Sequence, residues 1–104
     1  MNIGIVTAME AEREQVDSLL SEKEALSEGP FRFTKGMIGY NRVILMQCGI
    51  GKVNAAVGTV ELIRRFQPDC LISTGVAGGI DTRLNVMDVV ASRQVVYHDV
   101  WCGE

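Results

Sequence analysis

Histidine, cysteine and long apolar runs are all scarce in this sequence of 104 residues. His98 is the single histidine, which excludes a metal site built from several imidazoles. The three cysteines are far apart and lack the Cys-x-x-Cys spacing of a metal or redox site, so they are expected to be reduced thiols. No apolar segment approaches the ~20 residues that a membrane helix requires. These absences predict a cytoplasmic protein with no metal centre and no contact with a membrane.

A basic surface is also missing. Lysine and arginine number 10 against 13 acidic residues, and the net charge of −3 leaves no broad cationic footprint for a nucleic acid. The composition is otherwise that of an ordinary globular protein, with 47% hydrophobic and 22% charged residues. The length fits one small domain. We therefore expect a single globular unit that does not bind nucleic acid.

The most informative segment is the apolar run from Ile3 that leads directly into a helix, predicted over residues 8–20. Helical spacing places one carboxylate on the inward face, which comprises Met9, Glu12, Val16, Leu19 and Leu20. The outward face receives Glu10, Arg13, Glu14 and Asp17. Because burial without partners costs an ionised glutamate several kcal/mol of hydration, Glu12 is expected to be paired, hydrogen-bonded or facing a cavity. A structural alternative stays open, since acidic residues complement the positive end of a helix.

The remaining elements predict an α/β layer fold with a mixed sheet. A polar connection over residues 21–30 precedes two strands, residues 31–38 and 42–48, whose closeness implies an antiparallel hairpin. A second helix ends before Pro68, and its predicted apolar face comprises Val53, Ala56, Val57, Val60, Ile63 and Phe66. Residues 70–74 are predicted as a central strand and residues 87–97 as a long one.

Three strand ends, near Thr7, Cys48 and Gly75, each lead into a helix or a glycine turn. In open α/β sheets ligands lie beyond the carboxyl ends of the strands, so these three ends could converge on one crevice. The turn over residues 75–79, Gly-Val-Ala-Gly-Gly, is either the floor of that site or a tight turn that needs glycine. Sequence alone leaves both interpretations open.

Two phosphate-binding motifs fail at the second glycine-rich segment, Gly49-Ile-Gly-Lys52. The Walker pattern needs an earlier glycine and a following hydroxyl, and Met46 and Val53 occupy those positions. The dinucleotide pattern fails because Asn54 stands where its third glycine belongs. Neither a Walker-type nor a dinucleotide site is therefore predicted.

The combination of four ordered motifs resembles the bacterial 5'-methylthioadenosine/S-adenosylhomocysteine nucleosidases. The motifs are Gly4-Ile-Val-Thr-Ala-Met-Glu-Ala-Glu12, Cys48-Gly-Ile-Gly-Lys-Val-Asn-Ala-Ala56, Ser73-Thr-Gly-Val-Ala-Gly-Gly79 and Tyr97-His-Asp99. The resemblance implies the fold of the nucleoside phosphorylase superfamily, a central mixed sheet flanked by helices. It also implies a homodimer that needs no cofactor and transfers the ribosyl group of a small nucleoside to water instead of phosphate.

The resemblance also implies roles for individual residues. Glu12 matches the glutamate that holds and activates the attacking water, and Met9 and Ile50 match positions that line the ribosyl pocket. Val76, Ala77 and Gly78 match the glycine-rich turn beside the nucleoside. Where some relatives carry serine, Val76 has no hydroxyl, so any contact there must come from the backbone.

The same resemblance places the acid that protonates adenine, and the glutamate that binds the ribose hydroxyls, in a later part of the family's chain. Residues 1–104 are therefore expected to be the amino-terminal part of one nucleoside phosphorylase-like domain, inactive alone and not persisting as a monomer. An unpaired sheet edge near Tyr97, beside Trp101, is expected for the same reason. Cys102 and Trp101 depart from the family's pattern. Two alternatives remain: a purine or uridine phosphorylase, or a non-catalytic nucleoside-binding module.

Overall fold

The computed structural model describes residues 1–26, 29–100 and 103. The part from residue 2 to residue 73 contains one mixed sheet with a helix on each face, and residues 74–100 contain no helix or strand. The elements in chain order are β1 (Asn2–Thr7), α1 (Glu10–Asp17), β2 (Ser21–Leu26), β3 (Arg32–Ile38), β4 (Asn41–Gln47), α2 (Lys52–Phe66) and β5 (Cys70–Ser73). The strand order is β2-β3-β4-β1-β5. Strand β1 pairs in parallel with β4 and β5, whereas β3 is antiparallel to β2 and β4. The predicted α/β class and mixed sheet are confirmed.

The antiparallel hairpin predicted for the middle of the chain is also confirmed. Ile38 pairs with Asn41, so Gly39 and Tyr40 alone form the turn between β3 and β4. Gly39 has a φ of +60°, the backbone region that two-residue hairpin turns require and that glycine adopts without strain. This turn fixes the register that carries the apolar residues of β4 into the core.

Two apolar clusters lie on opposite faces of the sheet, because side chains alternate along each strand. On the α2 face, Leu62 closes a cluster of Val6, Phe31, Phe33, Ile44, Met46 and Cys48. On the α1 face, Val16 packs on Ile5, Leu20, Val43 and Leu45. The central strands β1 and β4 are thus covered on both sides, and their carboxyl ends are held in fixed positions.

The predicted faces of both helices need correction. Helix α1 ends at Asp17, so Leu19 leaves the helical phase and is 67% exposed. Arg13, predicted to point outward, is only 9% exposed. Its inward direction depends on a partner in β4, which a helical pattern read along one segment cannot reveal.

Helix α2 turns a different stripe to the sheet from the one predicted. Gly58 and Leu62 are buried, with Ala55 and Phe66 packed beside them, whereas Val53, Val57, Val60 and Ile63 are exposed. The reason is close approach: a Cβ on Gly58 would lie 2.9 Å from the Cβ of Cys48. The small residues therefore face the sheet, and the larger apolar stripe faces away from it.

Three strand predictions also fail. The predicted polar connection contains β2, an exposed edge strand whose Ser-Glu-Lys-Glu-Ala-Leu sequence lacks the apolar alternation of a half-buried strand. Strand β5 is an edge strand with four exposed residues, not a central one. Residues 87–97 form no strand, because no described neighbour supplies ladder hydrogen bonds, so the sheet edge lies at β5 and not near Tyr97. The features predicted for Trp101 and Cys102 lie outside the described residues.

The described residues contain two helices, α1 and α2. Neither α1 nor α2 is both long and apolar enough to cross a bilayer.

Leu62 should be the side chain of α2 on which the stability of the fold depends most. Its exposure is zero, so Leu62→Ala should lower the free energy of unfolding by about 2–5 kcal/mol through lost burial and a cavity. Ile63→Ala is the matched control, because the next residue is 45% exposed and should cost clearly less. Equilibrium unfolding in urea measures both, and equal losses would contradict the assigned helix face.

Candidate functional site

A cavity of about 350 Å³ lies where the parallel strands β1, β4 and β5 end. The residues that line it are Val6, Thr7, Ala8, Glu12, Cys48, Gly49, Gly51, Ala55, Ser73, Thr74, Gly75, Val76 and Ala77. The three strand ends predicted to converge, at Thr7, Cys48 and Gly75, all contribute. Parallel pairing of β1 with both neighbours brings them together, since it places three carboxyl ends at one edge of the sheet.

A larger hollow of about 480 Å³ lies elsewhere, lined mainly by polar and charged side chains of β2, β3 and β4 and by the end of α2. None of the predicted site residues lines it. The smaller cavity is the better candidate, because it combines the strand ends with a carboxylate and two glycine-rich turns.

The Glu12 carboxylate is held by three backbone N–H groups. Ala8 and Met9 donate to Oε2 at 2.9 and 3.2 Å, and Val76 donates to Oε1 at 3.1 Å. The first two contacts belong to the capping of α1, in which Glu12 is the third helical residue. The third contact joins the start of α1 to the glycine-rich turn after β5. Glu12 therefore has both the structural role and the cavity-facing position that the sequence left open.

Gly75 allows the close approach between Glu12 and the turn. A Cβ at this position would lie 2.6 Å from Oε1 and 2.8 Å from Cδ of Glu12. Such distances are too short for any side chain, so the carboxylate would have to move. The glycine at the end of Ser73-Thr-Gly75 thus keeps space for the carboxylate.

Hydrogen bonding keeps Glu12 charged. The Val76 N–H lowers the pKa of this carboxyl most, the Ala8 and Met9 N–H groups lower it further, and partial burial opposes them. Glu12 is therefore ionised at neutral pH. Its basicity is reduced by the three donors, and any ligand that takes the Val76 N–H would restore part of it.

Cys48 has the opposite electrostatic behaviour in the same cavity. Burial raises the pKa of its thiol, and the negative charge of Glu12 raises it further. The thiol stays neutral and donates to the carbonyl oxygen of Gly49 at 3.2 Å. Cys48 is therefore a small apolar wall residue, and Glu12 is the single ionised side chain among the described lining residues.

The start of α2 is held by the fourth motif. Lys52 forms an ion pair with Asp99 at 2.5 Å and lies 4.9 Å from the centre of the Tyr97 ring. Asp99 offsets the unfavourable placement of a cation in the first turn of a helix. The Tyr97-His-Asp99 motif is thereby packed against Gly49-Ile-Gly-Lys52, two segments that are distant in sequence.

The predicted site residues do not all reach the cavity. Glu12, Val76 and Ala77 line it, whereas Met9, Ile50 and Gly78 do not. Met9 is the half-buried N-cap of α1, and Ile50 is 72% exposed beside the cavity-lining Gly49 and Gly51. The contact between Gly75 and Glu12 was not predicted, although the position of Gly75 directly after a predicted strand was a usable signal.

Comparisons with known proteins agree on one family. The model of the phosphorylase superfamily matches residues 2–104. The 5'-methylthioadenosine/S-adenosylhomocysteine nucleosidase of Pseudoalteromonas translucida is 46% identical over 100 residues, which are 96% of this chain and 43% of that protein. The resemblance predicted from the four motifs is confirmed.

Solved structures of the same nucleosidases share the fold. The enzyme of Colwellia psychrerythraea in complex with adenine superposes with a TM-score of 0.79 at 40% identity, covering 83% of this chain and 36% of that one. The enzyme of Neisseria meningitidis in complex with methylthio-immucillin-A gives 0.77 at 40% identity, covering 81% and 36%. The chain spans about two fifths of the length of the curated relatives it matches.

Gly75→Ala should raise the pKa of Glu12 toward its ordinary value. The new methyl group displaces the carboxylate from the Val76 N–H, which is the largest cause of the lowered pKa. Gly78→Ala is the matched control, because a Cβ there meets nothing within 4 Å. Carboxyl ¹³C NMR titration reads both variants, and an unchanged Glu12 pKa in Gly75→Ala would contradict the contact.

Stability should follow the same carboxylate. Because the folded pKa of Glu12 is lowered, its contribution is present above the unfolded pKa and is lost as pH falls through the folded value. The free energies of unfolding of the wild type and Glu12→Gln, measured in urea at a series of pH values, should therefore converge as the pH falls. A difference that stays constant down to acidic pH would contradict the lowered pKa.

Proposed function

The chain belongs to the phosphorylase superfamily, and from this membership we propose that it supplies the water-activating part of an N-ribosyl hydrolase. The substrates proposed are 5'-methylthioadenosine and S-adenosylhomocysteine, which are cleaved to adenine and the thioribose product. The nucleosidases that it is similar to carry both nucleosides in their names. We further propose that the protein acts in the cytoplasm as a homodimer.

The ionised Glu12 in a cavity without cations is the observation that carries this proposal. The described lining residues include no lysine, arginine or histidine. A phosphorylase must attract an anionic nucleophile, and a carboxylate repels it. Water carries no charge and can give a proton to a carboxylate. The electrostatics therefore favour hydrolysis over phosphorolysis.

The proposed reaction divides the work between two ends of the nucleoside. Glu12 takes a proton from water as the water oxygen bonds to the anomeric carbon. The bond from that carbon to N9 of adenine breaks, and its electron pair goes to the base, which needs a proton from an acid. Negative charge at Glu12 also stabilises the oxocarbenium character of the transition state.

The other predicted residues have positional roles in this proposal. Val76, Ala77 and Gly78 would meet the nucleoside through backbone groups, and Met9 and Ile50 would cover the ribosyl group. The resemblance matches no residue from 1 to 104 with the leaving-group acid. Such an acid typically contributes ~10² to 10⁴ in rate, so the chain alone should release little or no adenine.

The proposed dimer is supported by the exposed apolar stripe of α2, Val53, Val57, Val60 and Ile63. A stripe of this kind on a helix not facing its own sheet is suited to a second copy of the chain. In this proposal the dimer contact would lie beside the cavity, because the stripe begins two residues after the cavity-lining Gly51.

Charge on this stripe should weaken association. Val60→Asp should shift the sedimentation of the 104-residue chain toward a smaller species at micromolar concentration, because a buried unpaired carboxylate opposes the contact. Gln15→Asp, on the exposed side of α1, is the control and should not change it. Equal sedimentation of wild type and Val60→Asp would remove α2 from the proposed interface.

A chimera tests the catalytic proposal. It joins residues 1–100 of this chain to the part of the Pseudoalteromonas translucida nucleosidase that follows its matched region. In this chimera Glu12→Gln should lower kcat for 5'-methylthioadenosine at least ~10²-fold, as expected when a general base is removed. Glu14→Gln, on the exposed side of the same helix, should leave kcat unchanged.

Phosphate separates the alternatives. A hydrolase releases adenine at the same rate with and without phosphate, whereas a purine or uridine phosphorylase needs it. Binding of adenine by a chimera that turns over neither substrate would instead support a non-catalytic module. Near-normal turnover by the Glu12→Gln chimera would refute the role of Glu12.

A further inference from the structure

Arg13 is the one buried side chain of α1 and has no part in the chemistry proposed above. Its Nε donates to Oε1 of Gln47, at the end of β4, at 3.0 Å. Its terminal nitrogens lie 3.9 Å from Glu10 and 3.8 Å from Asp17. A cation is expensive to bury, and this one has an amide oxygen at hydrogen-bond distance and two carboxylates at longer range. An apolar residue would pack at this position without that desolvation cost, so packing alone does not explain an arginine here.

Helix α1 has only eight residues, so its orientation depends on tertiary contacts. Val16 packs on the apolar cluster of its face, but apolar contacts are non-directional and allow a helix to turn about its axis. The ion pair between Glu10 and Arg32 in β3 joins two exposed side chains at 3.9 Å, so it contributes little to the orientation of α1. The Arg13 to Gln47 hydrogen bond is directional and partly buried, so it constrains the helix more than the exposed ion pair does.

The contacts of Glu12 do not fix the helix by themselves. Ala8 and Met9 precede Glu12 directly and move with the start of α1. Val76 is the one partner among the three donors that lies on another part of the fold. A single hydrogen bond of a partly exposed carboxylate leaves the rotation of the helix to other contacts.

Glu12 and Arg13 are consecutive, so they project about 100° apart on the helix. Any rotation of α1 moves both by the same angle. At a side-chain radius of ~6 Å a rotation of about 10° displaces the carboxylate by about 1 Å. A displacement of that size can cost ~10²-fold in rate.

We propose that the hydrogen bond between Arg13 and Gln47 is a positioning contact that sets the rotation of α1 and thereby holds the Glu12 carboxylate over the cavity. Arg13 and Gln47 touch no reacting atom and act through Glu12. The expected effect on catalysis rests on the proposed function, whereas the expected effect on the rotation of α1 does not.

The geometric test uses the amide resonance of Val76 in the 104-residue chain. Because this N–H donates to Glu12, its proton shift should follow the titration of the carboxyl. Gln47→Met removes the acceptor and keeps both the length of the side chain and the charge of Arg13. The pH-dependent change of the Val76 shift should fall by at least about half, since hydrogen bonds weaken steeply with misalignment.

Controls separate positioning from general loss of structure. Gln15→Met is the same chemical change on the exposed side of α1 and should leave the Val76 response intact. Gln47→Glu retains an acceptor and should preserve the response. Gln47→Asn retracts the amide by one methylene and serves if Gln47→Met does not fold. A full Val76 response in whichever of Gln47→Met and Gln47→Asn folds would overturn the proposal.

The catalytic test uses the chimera defined above. Gln47→Met should lower kcat for 5'-methylthioadenosine by about tenfold or more while KM changes less than about twofold, because the base is misplaced and the nucleoside still binds. Gln47→Glu should recover most of kcat. An inactive wild-type chimera would refute the proposed function and leave the Val76 result to decide positioning. An active chimera that keeps full kcat in Gln47→Met would refute positioning alone.

Discussion

The candidate site depends on a carboxylate that is held by three backbone N–H groups. Glu12 ends the first turn of α1, meets the glycine-rich turn after β5 and faces the cavity, so one side chain joins a helix, a turn and a site. Because all three donors are backbone groups, the charge of Glu12 depends on the course of the chain and not on a partner side chain. Any other residue at position 75 would displace the carboxylate, because its Cβ would lie 2.6 Å from Oε1 of Glu12.

Parallel pairing of the strands explains why segments distant in sequence meet at Glu12. Strand β1 is hydrogen-bonded to β4 on one side and β5 on the other, so the carboxyl ends of three strands lie side by side at one edge of the sheet. The chain supplies the cavity with small residues and one charge, and it supplies the outer surfaces with apolar side chains on α2 and β5. The curated relatives that the chain matches are more than twice as long as the matched region.

Much of this could be predicted from sequence, and the failures have physical causes. Apolar runs and glycine turns located β1, β3, β4, α2 and β5, and the convergence of Thr7, Cys48 and Gly75 followed from the ends of those runs. The polar strand β2 could not be predicted, because its exposed side chains show no alternation of apolar and polar residues. It is a strand because it pairs with β3, which its own sequence does not reveal. The buried face of α2 was wrongly predicted, because the helix has a second apolar face of larger residues. The close contact with the sheet requires the face that carries the small residue Gly58. For the site, Glu12 was identified by its place in a motif, whereas the inward turn of Arg13 depends on Gln47, 34 residues away.

The hairpin between β3 and β4 has a practical consequence. Its turn lies at the start of β4, whereas the cavity lies at the end of the same strand, roughly 20 Å away at ~3.3 Å per residue. Tyr40 is 99% exposed there, and a Cβ on Gly39 would meet nothing within 4 Å. An exposed side chain at such a tip can be replaced without a change in the length of the turn, so the register of β4 is kept. A fluorophore attached to the side chain at position 40 would report on this protein with the cavity end of the sheet left free.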